Sequence, residues 1–308
     1  MANYENYYSV ISSLAASGKL TFEENEPMSR HTSFKIGGNA RYFILPSDAE
    51  TLALVINAAY DCNLSVYVLG KGTNVLFDDD GFDGAVISTL GLNSVSVDGN
   101  RIVCGAGASL TGVSKTAQEN SLKGMSFAYG IPGSVGGAVF MNAGAYTGET
   151  RDILSSSVYL DLNDMELHTL SKQEHCFGYR TSSYKEHPER IILSATFELE
   201  KGERDEIKAE MEDFMSRRRD KQPLEYPSAG STFKRYPGRY TAQMIDSVGL
   251  KGVRVGGAEV SEKHAGFVIN KENASSKDVK ELIKLIQDRI RDEYGIEIER
   301  EVIYVPEK

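Results

Sequence analysis

The stretch Gly130–Gly148, GIPGSVGGAVFMNAGAYTG, restricts what this chain can fold into more than any other. It is crowded with glycine and alanine, holds one proline and carries no charged residue. Exposed loops are rarely so apolar, and a packed helix does not tolerate glycine at this density. Two arrangements satisfy such a composition. One is a tight turn packed against neighbouring backbone. The other is a cradle that passes close to a flat or anionic ligand, where side chains would be in the way. From Ser134 onward the small residues predict a buried helix opening with free amides aimed at a phosphate. On this stretch alone both arrangements stay open.

The length of 308 residues predicts two or three domains. A net charge of −10 argues against nonspecific binding to nucleic acid or anionic membrane. Cys62, Cys104 and Cys176 are odd in number and fit no motif, which favours a reducing compartment. MANYENYYSV has no basic region followed by an apolar run, and no apolar stretch reaches membrane-spanning length. The expectation is a cytoplasmic protein with no obligate protein partner in evidence.

In chain order, Asn3–Ser17 reads as a helix followed by an acidic turn, and Ala40–Leu45 as an extended run ending at Pro46. Ser47-Asp-Ala-Glu50 reads as a capping box for a helix to about Asn63. Strand Ser65–Leu69 runs into the loop Gly70-Lys71-Gly72-Thr73-Asn74, and strand Ala85–Ser88 follows. The segments Ser94–Asp98 and Arg101–Cys104 predict a hairpin across Asp98-Gly99-Asn100, and Ser109–Glu119 a helix. A second hairpin pairs Val158–Leu160 with Leu167–Leu170, and Ile191–Glu200 is a long strand. Helices are predicted over Glu203–Arg219, Thr241–Ser247 and, most clearly, Ser275–Tyr294, with Gly295 ending the last and Ile296–Val305 leaving as a strand. The pattern is α+β, with a boundary near Lys201-Gly202.

Several places could carry chemistry. GKGTN follows a strand as a phosphate loop should, but it lacks the third glycine of GxGxxG and the ending of a P-loop, so a plain turn competes with an amide nest. Ser134 sits in PGSVG, without the leading glycine of a hydrolase elbow. His31, His168, His175, His187 and His264 show no ligand spacing with one another or with cysteine, so no metal is expected. Arg180, in FGYR, reads by composition as a solvated charge more readily than as a site residue. Arg217, Arg218 and Arg219 end a helix, where cations offset the dipole. Ser228–Lys234 combines hydroxyls, a glycine and a cation, which helix capping partly explains. Glu301 lies between Arg300 and Val302 in the terminal segment.

HTSFKIGGNA, VLGKGTNVL, GIPGSVGGAVFMNAGAYTG, GYRTSSYK, PSAGSTFKR, KGVRVGGAEVSEKHAGFVIN and REV, in this order and over almost the whole chain, resemble the UDP-N-acetylenolpyruvoylglucosamine reductase family of peptidoglycan synthesis. The resemblance implies an α+β fold with a two-part FAD-binding region of the vanillyl-alcohol-oxidase type and a C-terminal α+β substrate-binding domain. Residues 1–90 would form the first FAD-binding part, joined by the strand 297–308. Residues 91–200 would form the second and 201–296 the substrate domain. It further implies noncovalent FAD, with Gly70, Lys71, Gly72, Thr73 and Asn74 and with Gly130, Pro132, Gly133, Ser134, Gly136, Gly137, Asn142 and Gly144 around it. NADPH would reduce the flavin, leave, and be replaced by the enolpyruvyl sugar nucleotide.

The family's chemistry gives the polar residues roles. Hydride must add to an electron-rich enol ether, so the adjacent carboxylate acts as electron sink and negative charge builds up. The resemblance assigns Arg180 and a protonated Glu301 to that charge, and Ser231 to the proton delivered to the other carbon. Tyr179, Arg217, Lys234 and Lys263 match as substrate anchors. Longer relatives carry an extra segment with a tyrosine that folds over substrate; GYRTSSYK is followed closely by a strand, which implies the shorter subfamily without that lid. Where longer members carry asparagine after the GSxFK lysine, this chain has Arg235. A flavin oxidase or dehydrogenase on the same scaffold, or a nonenzymatic flavin- or nucleotide-binding module, are the competing readings; the Arg180, Ser231 and Glu301 set separates them from the reductase.

Overall fold

The computed structural model describes residues 2–307. They form two compact units, the first built from the chain up to Glu24, Tyr42–Lys71 and Asp83–Arg217, the second from Asn25–Arg41, Gly72–Phe82 and the chain from Arg218 onward.

Unit 1 holds two sheets and two cores, the first of them also taking in Leu160, Ile191 and Leu193 from the second sheet. In the first, the strand order is Leu20–Pro27, Asn39–Pro46, Phe82–Ser88 and Ser65–Leu69, the last two parallel with Ser65 opposite Gly84. The outer ends of the first three strands lead into unit 2. Helices Tyr4–Ala16 and Ala49–Asp61 cover this sheet. Leu52, Val55, Ile56 and Ala59 recur at helical spacing and are fully buried with Tyr7, Ile11 and Ile44. Each such side chain contributes about 1.5–3 kcal/mol.

The second sheet is antiparallel throughout, in the order Glu166–Ser171, Leu154–Asp161, Arg190–Glu198, Arg101–Gly105, Val95–Asp98. Both predicted hairpins are present, with Asp98 opposite Arg101 and Val158 opposite Thr169. Helices Leu110–Glu119 and Val135–Met141 bury Val113, Ala117, Val135 and Val139 against Ile102, Leu154 and Phe197.

Unit 2 is built around the helix Ser276–Tyr294, which buries Val279, Leu282, Ile283, Ile286 and Ile290 in a core with Phe34, Leu76, Phe233, Ile298 and Val302. A three-stranded antiparallel sheet, Arg254–Val255, Ala258–Val260 and Val268–Asn270, shares that core. Val75–Phe77 and Ile303–Val305 pair in parallel, with Val75 opposite Ile303.

The start of the long helix has its free amides fully answered. Ser275 and Asp278 form a capping box. Asp79, far away in sequence, accepts from the Ser276 and Lys277 amides at 2.8 and 3.3 Å and from the Ser276 hydroxyl at 2.8 Å. Asp79→Ala is therefore expected to destabilise the protein by about 1–2 kcal/mol, the loss typical of a removed cap, with Asp79→Asn losing less. A lower urea midpoint with unchanged slope is the readout.

Three expectations need correction. The acidic turn after the first helix is a strand, Leu20–Pro27; Leu20 and Phe22 anchor it at alternate positions while Glu23 and Glu24 are exposed. The second helix is capped by Asp48, not Ser47, because the Asp48 carboxylate reaches the Thr51 amide at 2.7 Å. The terminal strand is confined to Ile303–Val305, not Ile296–Val305. Ile298 and Val302 bury into the core, and residues 299–301 pair only locally with 232–234.

Candidate functional site

In unit 1 the two glycine-rich loops meet. A Cβ on Gly70 would lie 2.5 Å from Ser134 Oγ, and one on Gly136 would lie 3.0 Å from Ala106 Cβ. Ser134 caps the helix Val135–Met141 by accepting from the Gly137 amide at 3.4 Å. The helix opening does not offer the free amides expected of it. Val135 donates to Ala108 O at 2.9 Å and Gly136 to Ala106 O at 2.8 Å, so those donors are spent on the strand-to-helix turn next door.

The uncommitted donors sit just before the helix. No hydrogen bond among the described residues engages the amides of Gly133 and Ser134, nor that of Lys71. In unit 2 the same holds for the amides of Gly72 and Thr73 and for the Thr73 hydroxyl. Gly72, at φ +64°, packs so closely that a Cβ would lie 2.0 Å from His31 O, and its carbonyl accepts from Ser33 N at 3.0 Å. Backbone loops with unanswered N–H groups and no room for side chains suit the oxygens of a pyrophosphate. On that observation FAD fits.

Asn142, fully buried in left-handed backbone at φ 44°, spends its side chain within the protein. Its Nδ2 donates to Glu149 Oε2 at 2.6 Å and Gly178 O at 2.9 Å, and its Oδ1 accepts from the Arg151 amide at 3.0 Å. It thereby ties the glycine-rich stretch to the turn that presents Tyr179 and Arg180. Arg180 is half-buried, with Nη2 donating to Gly144 O at 3.2 Å and its guanidinium 5.2 Å from the exposed Tyr179 ring. Lys185 holds the turn from below, donating to Arg180 O at 2.6 Å. Gly144 is needed there, since a Cβ would lie 2.7 Å from Glu149 Cβ.

In unit 2, backbone hydrogen bonds join the segments that carry Ser231 and Glu301. The Glu301 amide donates to Thr232 O at 2.8 Å, and the Lys234 amide to Glu299 O at 2.9 Å. Asn74 reaches the same segment, donating from its side chain to Glu301 O at 3.2 Å. Thr232 is the buried anchor: its hydroxyl accepts from Val268 N at 2.9 Å and its amide donates to Gly266 O at 2.8 Å. Ser231 is left exposed and Glu301 half-buried. The predicted cationic anchors all contact protein groups. Lys234 pairs with Glu299 at 2.7 Å, which holds the Glu299 carboxyl below its ordinary pKa. Lys263 donates to Arg219 O at 2.6 Å, and Arg217 pairs with Asp213 at 2.6 Å. Arg235 lies over the Tyr240 ring at 5.5 Å.

Two groupings escaped the sequence. Asp164, Glu166 and His168 bring possible ligand atoms within 4.8 Å on an exposed hairpin end, where Asp164 also bonds the Glu166 amide and His168. Ser157, His175 and Tyr184 form a buried hydrogen-bonded chain in unit 1. Nothing in the spacing of these three residues announces a contact.

Known proteins match this architecture. A model described as FAD binding domain matches residues 40–170, and one described as UDP-N-acetylenolpyruvoylglucosamine reductase, C-terminal domain, matches residues 222–305. The UDP-N-acetylenolpyruvoylglucosamine reductase of Clostridium novyi is 45% identical over 94% of each chain. A Bacillus cereus protein named UDP-N-acetylenolpyruvoylglucosamine reductase 2 is 42% identical over 99% of each. Among solved structures, the UDP-N-acetylenolpyruvylglucosamine reductase of Thermus caldophilus superposes with a TM-score of 0.79 at 31% identity, covering 92% of this chain and 99% of that one.

Proposed function

The chain belongs to the UDP-N-acetylenolpyruvoylglucosamine reductase family, and on that footing we propose that it is an NADPH-dependent, FAD-containing reductase acting in the cytoplasm. It reduces the enolpyruvyl group of UDP-N-acetylglucosamine enolpyruvate to give UDP-N-acetylmuramate for cell-wall precursor synthesis. The observation that supports the reading is the Thr232–Glu301 peptide hydrogen bond of 2.8 Å, which joins the segment that carries Ser231 to the segment that carries Glu301 in the region matched by the reductase's C-terminal domain.

Bound FAD supplies the hydride in this scheme, held noncovalently by the uncommitted amides of Gly133 and Ser134 and of Lys71, Gly72 and Thr73. Gly130, Pro132, Gly136, Gly137, Asn142 and Gly144 shape the backbone around it. Arg180 and Glu301, the latter as the acid, stabilise the charge that builds on the substrate carboxylate. Ser231 donates a proton to the carbon left bearing the electron pair. Tyr179, Arg217, Lys234 and Lys263 orient the sugar nucleotide, and the short GYRTSSYK segment leaves the site without a tyrosine lid. In domain terms we assign 1–90 with 297–308 and 91–200 to FAD, and 201–296 to substrate.

The test is direct. The purified protein should be yellow, bleach on anaerobic addition of NADPH, and regain its oxidised spectrum when the enolpyruvyl sugar nucleotide is added. A flavin that stays reduced sinks the proposal.

A further inference from the structure

The turn that carries Tyr179 and Arg180 lies outside helix and strand, and both Cys176 and Arg180 sit in left-handed backbone at φ 46° and 55°. Such backbone costs a non-glycine residue on the order of 1 kcal/mol, so the turn persists only if something holds it. At its entrance stands His175 and at its exit Tyr184. Both reach one hydroxyl, Ser157 Oγ on strand Leu154–Asp161, at 2.7 and 2.6 Å. All three side chains are buried to within 1% of full enclosure. His175 also stacks on Phe177 with ring centroids 5.0 Å apart.

The chain of bonds has a direction. His175 Nδ1 lies 2.7 Å from Ser171 O, and a carbonyl only accepts, so the neutral ring carries its hydrogen on Nδ1. Nε2 must then accept from Ser157, which in turn accepts from Tyr184. We propose that this Tyr184–Ser157–His175 chain is the positioning device for Arg180, closing the base of the turn and fixing the guanidinium against Gly144, and that it does so only while His175 is neutral. The idea rests on the role given to Arg180 above.

Protonation would put a hydrogen on Nε2 as well. Ser157 would then accept from Nε2, and the hydroxyl hydrogen of either Ser157 or Tyr184 would be left with no acceptor in a buried site. Burial lowers the His175 pKa from 6.5, against opposing contributions from its bond to Ser171 and from Glu174. Burial pushes the Tyr184 hydroxyl up to about 12, with Ser157 and Arg190 pulling down and Tyr159 pushing up, so it stays a donor. The neutral ring's contribution to stability is thus fully present above pH 6.5 and is lost as pH falls below that value toward the lowered folded pKa.

Hydrogen–deuterium exchange on the full-length protein reads this out without relying on turnover. Ser157→Ala and Tyr184→Phe should each raise exchange of the 176–183 amides about tenfold, the equivalent of losing one buried hydrogen bond, with the rest of the five-stranded sheet unchanged. Relative to the intrinsic exchange rate at each pH, the wild type should show the same rise as pH falls below the imidazole range, and His175→Gln should not. In kinetics, Ser157→Ala should lower kcat for flavin reoxidation by the sugar nucleotide about tenfold, with reduction by NADPH within about twofold of wild type. Tyr184→Phe removes one bond and almost no volume, and it carries the test alone if Ser157→Ala fails to fold. Exchange that rises evenly over the sheet, stays unchanged, or is independent of pH in the wild type overturns the clamp. A wild type that cannot reduce the sugar nucleotide, yet shows the localised exchange, overturns the functional reading and leaves the clamp standing.

Discussion

Ser231→Ala should leave reduction of the flavin by NADPH near normal and slow its reoxidation by the enolpyruvyl sugar nucleotide by about 10²–10⁴-fold, the usual contribution of a positioned general acid. The structure makes this a clean experiment. Ser231 is exposed, while its neighbour Thr232 does the anchoring through Val268 N and Gly266 O. Removing the Ser231 hydroxyl therefore changes stability by no more than roughly 0.5 kcal/mol. Thr232→Val is the companion: it strands the Val268 amide without an acceptor and should cost about 1–3 kcal/mol of stability. Anaerobic stopped-flow of the two half-reactions, with melting curves beside it, separates the two outcomes. If both half-reactions fall equally in Ser231→Ala, the serine is not the proton donor.

Gly72→Ala is expected to have the largest effect on folding. Its φ of +64° already penalises any side chain, and the added Cβ would meet His31 O at 2.0 Å. His31 O and the next atoms met, His31 C and Thr32 Cα at 3.1 Å, all belong to backbone, so the loop itself must move; the expected loss is about 3 kcal/mol or more. The displaced loop is the one with unanswered Gly72 and Thr73 amides, so the purified variant should also carry less flavin, read as the ratio of absorbance near 450 nm to that at 280 nm. Gly99→Ala is the control. Its φ is +61°, but nothing lies within 4 Å of the added atom, so only the conformational penalty, about 1 kcal/mol, should appear. Equal losses in the two variants would show that close packing at Gly72 contributes nothing.

Much of the architecture was legible because it is local. The helix Ser276–Tyr294 announces itself through an apolar face, a serine cap and a glycine in left-handed backbone at Gly295. The hairpin at Asp98–Arg101 follows from alternation around a turn. The strand Leu20–Pro27 was hidden because only two of its residues are apolar anchors. At Val75–Phe77 all three residues are buried, so no alternation exists to read. At the site, the glycine loops were visible as loops. Whether their amides face a ligand or a neighbouring carbonyl depends on residues 106 and 108, which no motif includes. The pairing of the 232–234 segment with 299–301 and the Ser157–His175–Tyr184 chain are long-range pairings. Resemblance pointed to the first; nothing pointed to the second.

The parallel pairing of Val75–Phe77 with Ile303–Val305 has a consequence for how the protein is made. Synthesis at about 5–20 residues per second exposes the first strand on the order of tens of seconds before its partner exists. Unit 1 can bury its cores as it emerges, whereas three fully apolar residues at 75–77 must wait, with Leu76 and Phe77 facing solvent or a chaperone. Asn74 and Glu301 acquire each other in the same late event. A growing chain of this protein should therefore stay incompetent in its second unit until residues 303–305 have left the ribosome, and nascent chains stalled before that point should be disproportionately sticky.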